Sequence, residues 1–582
     1  MPCSVQTVEQ PRPTHSLVAE TGADQSHSCR PEKVEEKPLY TPLDENVDEI
    51  RILQLSPGSW SDPIVCMTFC ARLGDRPAYT ALSYAWGDPT DTRQVHLNGH
   101  PIQITRNLFA ALRRLRDSGC AKHLWADALC INQADKEEKG RQVSLMHDVY
   151  FHSDDAIMWL GEYLNVDEDP YTEADQGDWS GVERSLIPQV NVREAFEDLE
   201  RLASNEHTIP YTQRPGDNQS MWMLACAPWW TRIWTLQEVS LPENVILACG
   251  SFRIEFETLY DAMCNWNDHH KGSCCHPNRP DNDFRKQAVI FIFNRIMHIG
   301  LFRDDKEKTK GGDILWTLAA FAERQASDPR DKIFGVLGMF PEIAAHISID
   351  YTIHRPQLCA DFFVHMATST RDLEGWVGLI EAPADDHPPL PTWAPDWCNP
   401  NWTLPTPFFD IMSDYRQSRT AGSTELEMRR LCAEVLSVVG IRVGHITQVR
   451  DYRSLGPGAE EKVLHDVLQS ASISHTHTYP GGRTYGDVVA ELREKIEHSS
   501  VNVRRVFLTD KGYLGYDFNK VAVGDTVHVM FGGNLPFILR ESQRKNADGV
   551  PYHEIDGAAH VLGIMDGEAL DWGLEPETYF LV

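Results

Sequence analysis

The chain has 582 residues, 42% hydrophobic and 24% charged, an ordinary globular balance and enough length for roughly three or four folding units. Its formal net charge of −31 repels phosphate backbones and argues against nucleic acid as the main partner. No apolar run approaches the roughly 20 residues that span a bilayer.

Residues 1–37 are rich in Pro, Ser, Glu, Thr and Gln and contain no apolar core segment. They read as a disordered leader, extended here to residue 45, with no secretory signal. The 14 cysteines scattered through so long a chain then point to free thiols in a reducing, cytoplasmic setting. Residues 49–55 alternate polar and apolar side chains as a strand does, Pro57-Gly58 makes a turn, and residues 63–69 supply a hairpin partner.

Residues 79–161 read strand, helix, strand, helix, strand. The first strand, 79–84, runs into Ala85-Trp86-Gly87-Asp88. Asn107 is positioned to cap a helix that places Leu108, Ala111, Leu112 and Leu115 on one face. The second strand, 124–131, carries Asp127 and runs into Asn132-Gln133. A helix from Asp135 follows, with Val143, Met146, Val149 and Tyr150 at helical spacing, and then a strand at 156–160. Ligands of open α/β sheets sit beyond the carboxyl ends of the strands, so Trp86, Asn132 and Gln133 fall where a site is expected.

Residues 164–218 are acidic and rich in Gly and Pro, and read as an insertion or long loop. Residues 228–240 predict one helix with Pro near its start, and 245–249 a short buried strand. Residues 256–410 form a helical region ending in a Pro/Trp-rich linker. Residues 411–582 are mixed and end in short strands with frequent Gly turns, a small β-barrel or sandwich.

The chemistry concentrates at residue 238. In one helix, Trp230, Trp234 and Glu238 are spaced by four and share a face. A carboxylate beside indoles loses solvation, which raises its pKa and suits it to catalysis, although a Glu in the second half of a helix is usually solvated or salt-bridged. Asp127, if buried in a strand, needs a partner; an Arg or Lys is the plain choice and a ligand hydroxyl the alternative. Asn132 and Gln133 either cap the following helix or contact a ligand, and Trp86 either packs or stacks. Glu138 reads as a first-turn acid complementing the helix dipole. His269, His270, Cys274, Cys275 and His276 match no zinc-knuckle spacing and read as a polar loop. Cys130 reads as a small buried hydrophobe. Asp328 and Asp331 read as a helix cap and ion-pair partners. There is no phosphate-binding Gly-x-x-x-x-Gly-Lys loop.

The motif Ala81-Leu-Ser-Tyr-Ala-Trp-Gly87 resembles the opening of the fungal heterokaryon incompatibility (HET) domain. So does Leu124-Trp-Ala-Asp-Ala-Leu-Cys-Ile-Asn-Gln133, followed by Glu138, Gln142, Val143 and Met146. Trp159-Leu-Gly161 and Arg232-Ile-Trp-Thr-Leu-Gln-Glu-Val239 complete the pattern. The domain assigned on this basis is 46–255. Ala126 stands where the family often has a larger aliphatic residue, which bears on packing. Residues 328–334, 350–351 and 393–397 resemble the helical continuation of long HET proteins, and 524–525, 536–537 and 561–568 resemble their C-terminal β region.

The resemblance implies non-self recognition and regulated cell death. The order of elements is in turn similar to TIR domains, which implies a TIR-like, flavodoxin-like parallel sheet and, for some of those domains, NAD hydrolysis by a glutamate. Glu238 would then be the catalytic residue, with Trp234 in the accompanying Trp-x-x-x-Glu position. Tyr84, Trp86, Gly87, Asp127, Asn132 and Gln133 would line the site. NAD would be a substrate, with no required cofactor and no metal, and a protein partner or self-association would control the activity. The alternative is a non-enzymatic recognition module that signals by contact.

Overall fold

The computed structural model describes residues 38–162, 192–206, 219–271, 284–305, 313–378, 390–399, 417–451, 505–517 and 520–582, with isolated positions between 484 and 490. The expected leader lies almost wholly outside them, as do Cys274, Cys275 and His276.

Nine strands build the first sheet: β1 (Glu49–Leu55), β2 (Val65–Arg72), β3 (Thr80–Tyr84), β4 (Thr92–Leu97), β5 (His100–Thr105), β6 (Lys122–Trp125), β7 (Asp155–Trp159), β8 (Asn244–Cys249) and β9 (Phe252–Glu255). Their order is β5-β4-β2-β1-β6-β3-β7-β8-β9. The strands β6, β3, β7 and β8 are mutually parallel. In chain order they stand second, first, third and fourth, so the order reverses between β3 and β7. Both faces of this block are covered, and all but the first residue of β3 and of β7 is buried, the usual state of parallel strands.

The expectation of a parallel sheet needs correcting at its flanks. There β1–β2, β1–β6, β4–β5 and β8–β9 pair antiparallel. For β4–β5 and β8–β9 the reason is local: two-residue connections can join only antiparallel strands. Asn98-Gly99, with φ of +54° and +88°, forms the two-residue turn between β4 and β5. Neither of those strands was foreseen, although Asn-Gly is a strong hairpin signal.

Between β5 and β7 lie the helices α1 (Arg106–Leu115), α2 (Asp127–Cys130), α3 (Lys136–Ser144) and α4 (Met146–Phe151). The buried face of α1 is the expected Leu108, Ala111, Leu112 and Leu115, and α4 buries Met146, Val149 and Tyr150. The strand expected over 124–131 stops at Trp125. Residues 127–130 wind into one turn, closed by the Leu129 and Cys130 amides on the Ala126 carbonyl. A short apolar run buries equally well as strand or helical turn, so periodicity alone does not separate them.

Within the expected insertion, Val192–Ala203 is a helix that buries Val192, Ala195, Phe196, Leu199 and Leu202 against the helix Phe256–Lys271. Residues 164–191 and 207–218 lie outside the described residues. Further helices cover Phe284–Asp305, Ile314–Ala320, Asp331–Leu337 and Arg355–Thr370. Asp328 ion-pairs with Arg330 and accepts its amide hydrogen. In the Pro/Trp-rich segment, the Trp376 indole donates to the Trp393 carbonyl, and Trp393 donates to the Glu434 carbonyl.

The C-terminal sheet comprises β10 (Met428–Arg430), β11 (Leu436–Asp451), β12 (Arg505–Thr509), β13 (Leu514–Asp517), β14 (Thr526–Met530), β15 (Phe537–Lys545), β16 (Pro551–Val561) and β17 (Glu577–Leu581). Its path, β10-β11-β12-β13-β16-β15-β14, closes because β14 also pairs with β11. Closure removes exposed edges and encloses Val443, Phe507, Val527, Ile538 and Val561. The long strand β11 serves both sides of the closure and carries pairing irregularities at Arg442/Gly444 and Ile446/Gln448. Gly440 is required there: a Cβ would lie 2.6 Å from the Val529 carbonyl oxygen.

Candidate functional site

The carboxyl end of β3 delivers Ser83 and Tyr84, both buried, next to the point where the parallel strand order reverses. Crevices at such points bind ligands in doubly wound sheets. The Ser83 hydroxyl donates to Glu238 Oε2 at 2.5 Å and accepts from the Trp229 indole at 2.7 Å. Trp229, Ser83 and Glu238 thus form one donor chain ending on the carboxyl. Glu238 is 4% exposed, and burial is the main cause that pushes its pKa up to about 7. The Arg232 and Arg324 guanidinium groups and the Ser83 hydroxyl pull it down, and the neighbouring Asp127 adds to the rise.

A second group borders the first. The Tyr84 hydroxyl donates to Asp127 Oδ1 and the Trp86 indole to Asp127 Oδ2, both at 2.8 Å, while the Ala128 amide donates to Oδ1. Asp127 therefore satisfies itself with a phenol, an indole and an amide, not with the Arg or Lys expected for a buried strand acid. It opens α2, where these donors converge. Burial and the adjacent Asp127 raise the Tyr84 pKa. Trp86 is 38% exposed, and Gly87 takes φ +78°, a left-handed turn suited to glycine. Asn107 sits one residue inside α1 and does not cap it. It donates to the Ala85 carbonyl and accepts from the Trp159 indole, tying the tip of β3 to that of β7.

The helix expected over 228–240 is broken. Pro228–Thr231 is a 3-10 turn and Thr235–Ser240 a separate helix. The backbone between them opens to pair with Gln325: the Ile233 amide donates to the Gln325 carbonyl at 3.0 Å, and the Gln325 amide donates to the Thr231 carbonyl. Trp230, Trp234 and Glu238 consequently do not share a face. The Trp230 indole donates to the Leu224 carbonyl, and that of Trp234 hydrogen-bonds Asp331. The indole linked to Glu238 through Ser83 is Trp229, which the spacing argument passed over because it assumed an unbroken helix.

Asn132 and Gln133 serve the backbone. The Asn132 side chain accepts from the Ala134 amide, and the Gln133 amide group donates to the Asp127 carbonyl. The actual cap of α3 is Asp135, accepting from the Glu137 and Glu138 amides. Glu138 departs most from the first-turn role expected of it. It is buried and binds Arg51 through two hydrogen bonds of 2.6 and 2.9 Å, and its Oε1 also accepts the Asn132 amide. Together these contacts hold its pKa below the usual value despite burial.

Sequence reasoning missed Ser83, Trp229, Arg232 and Arg324. Arg232 donates to the Tyr84 carbonyl at 2.5 Å. Arg324 donates to the Arg232 carbonyl at 3.0 Å and to the Thr235 hydroxyl at 2.6 Å. Chemically, the cluster offers a carboxyl that exchanges its proton near neutral pH, a hydroxyl fixed on it, and an indole-bearing turn at the surface. Among the described residues, no group of three or more His, Cys, Asp or Glu could hold a metal ion, and His269 hydrogen-bonds Asn205. No helix among them is long and apolar enough to cross a membrane.

Residues 79–238 match the family model described as heterokaryon incompatibility protein (HET), and residues 486–582 match the Het-6 β-barrel domain. Heterokaryon incompatibility protein 6, OR allele, of Neurospora crassa is 24% identical over an alignment covering 92% of this chain and 96% of that protein. No solved structure matches the chain.

Proposed function

We propose that this chain, which carries a heterokaryon incompatibility domain and a Het-6 β-barrel domain, acts in non-self recognition leading to regulated cell death. Its α/β part is the effector of that response, and the effector reaction is hydrolysis of NAD. The first statement is supported by a relative that carries the incompatibility function in its name and aligns along nearly its whole length. The TIR-like, flavodoxin-like reading of the sheet draws on the second-first-third-fourth order of its parallel strands.

One observation carries the catalytic reading. The Glu238 carboxyl is held by Ser83 at the tip of β3, with burial bringing its pKa to about 7. Cleavage of the nicotinamide–ribose bond passes through an oxocarbenium-like state, which a carboxylate beneath the ribose stabilises before water attacks. Trp86 offers an exposed ring to stack on a base, and Asp127 offers acceptors for ribose hydroxyls. Glu238 is buried, so the substrate reaches it when the segment above it is displaced. Self-association or a partner protein supplies that displacement.

A second reading is favoured by the burial of Glu238 itself. An acid 4% exposed with Ser83 on it also serves as a packing element, and the α/β part would then signal by contact alone. Full-length protein incubated with NAD at high concentration, with Glu238→Gln as control, separates the two. Nicotinamide released by the wild type and lost in the folded variant supports hydrolysis. Absence of release from a self-associated wild type supports contact signalling.

A further inference from the structure

The matched incompatibility domain ends at residue 238, yet the start of the helix that carries the buried acid is bound by a side chain from beyond it. We propose that Arg324, contributed by the helical region, is a positioning residue for Glu238: its guanidinium fixes the start of the short helix that carries the acid and sets a buried cation over Trp229.

Arg324 lies just past the helix Ile314–Ala320 and is 4% exposed. Its Nη1 reaches the carbonyl of Arg232 and the hydroxyl of Thr235, which bracket the start of the Glu238 helix. The neighbouring Gln325 pairs with the opened backbone at 231–233, so the segment is zipped onto the break that precedes the acid. Lys332 anchors the segment from the other side by donating to the Ala322 carbonyl at 2.6 Å and to the Arg324 carbonyl. The guanidinium lies over the Trp229 ring, 5.6 Å from its centroid, and Trp229 is the donor at the head of the chain to Glu238. Its Nη2 is buried without a hydrogen-bond partner among the described residues. An arginine does not lose its charge readily in a protein, so a buried guanidinium with a bare nitrogen is costly to keep.

The groups that face Glu238 are Ser83 and Tyr84 from β3, Asp127 from α2, Tyr150 from α4, Arg232 from its own segment, and Arg324. Asp127 is the acid among them that disfavours ionisation. The two arginines oppose it, and only Arg324 comes from outside the matched domain. Its cation and the Glu238 anion favour each other. The inference rests on Glu238 being the working acid, but its test does not require turnover.

The test is an infrared titration of the Glu238 carboxyl in full-length protein carrying 13C-labelled glutamate, with Glu238→Gln identifying the band. In Arg324→Gln the midpoint is expected to rise by about one pH unit, and in Arg324→Lys to stay within about 0.3 units of wild type. A purely architectural Arg324 would cost stability but leave the midpoint of a folded Arg324→Gln protein where it was, which overturns the proposal. Should Arg324→Gln fail to fold, Arg324→Met, which keeps an unbranched stem beside Trp229 without the charge, takes its place: a one-unit rise supports the role of the charge, and a wild-type midpoint refutes it. Absence of NAD cleavage in any variant bears on the proposed reaction and leaves this titration readable.

Discussion

Replacing Glu238 by Gln isolates the energetic consequence of burying this acid. The amide keeps the size of the side chain and an oxygen to accept the Ser83 hydroxyl, but cannot ionise. In the wild type the pKa rises from 4.5 to about 7, so the folded state holds the proton more tightly than the unfolded chain. Between those values the native state binds more protons, and stability falls as pH rises. The full effect is present below about pH 4.5 and spent above about pH 8. At about 1.4 kcal/mol per pKa unit it amounts to about 3 kcal/mol. Urea unfolding of wild type and Glu238→Gln in parallel from pH 4.5 to 8.5 measures it. The variant should gain on the wild type by about 3 kcal/mol across that range, with the change centred between pH 5 and 7. A gap that stays constant with pH would refute the reasoning, because it would mean that Glu238 has the same pKa folded and unfolded.

Glu138→Ala strands the Arg51 guanidinium, 1% exposed, between the remaining carbonyl acceptors, and should lower stability by about 3–5 kcal/mol in urea titrations at pH 7. Asp127→Ala leaves the buried Tyr84 hydroxyl and the Trp86 indole without their acceptor; thermal unfolding should show a loss of about 1–3 kcal/mol. Gly338→Ala places a Cβ 2.1 Å from Oε1 of the buried Gln237, which is held by the Gly335 carbonyl; the same assay should show a loss of about 1–3 kcal/mol. Brief native alkylation followed by peptide mass spectrometry should modify the exposed Cys120, Cys226 and Cys432 and spare the buried Cys130, Cys249, Cys359 and Cys398.

Much of the framework was legible in the sequence because burial leaves a period. The apolar residues of α1 and α4 recur at helical spacing, and β3 and β7 are compact apolar runs beside turn residues. Where two structures bury the same residues, the pattern is silent: residues 127–130 satisfy it as a helical turn as well as they would as a strand. The long strand β11 escaped because its bulges shift the alternation, and its Gly440 and Gly444 serve close approach rather than a turn. At the site, Glu238 and the Tyr84, Trp86 and Asp127 group could be named from local motifs. The partnership of Glu238 with Ser83, Trp229 and Arg324 could not, because it depends on where the helix of 228–240 breaks. That break is set by Gln325, nearly a hundred residues away along the chain, whose backbone pairs with Ile233. Glu138 was misjudged for the same reason: its partner Arg51 comes from β1, 87 positions earlier.

The most direct trial of the account expresses the full chain and its Glu238→Gln variant in a fungal host under an inducible promoter, and follows cellular NAD and viability together, with folding checked on the purified proteins. The account predicts that NAD falls before viability with the wild type, and that both are spared by the variant. Undiminished killing by a folded Glu238→Gln protein with NAD intact would contradict it.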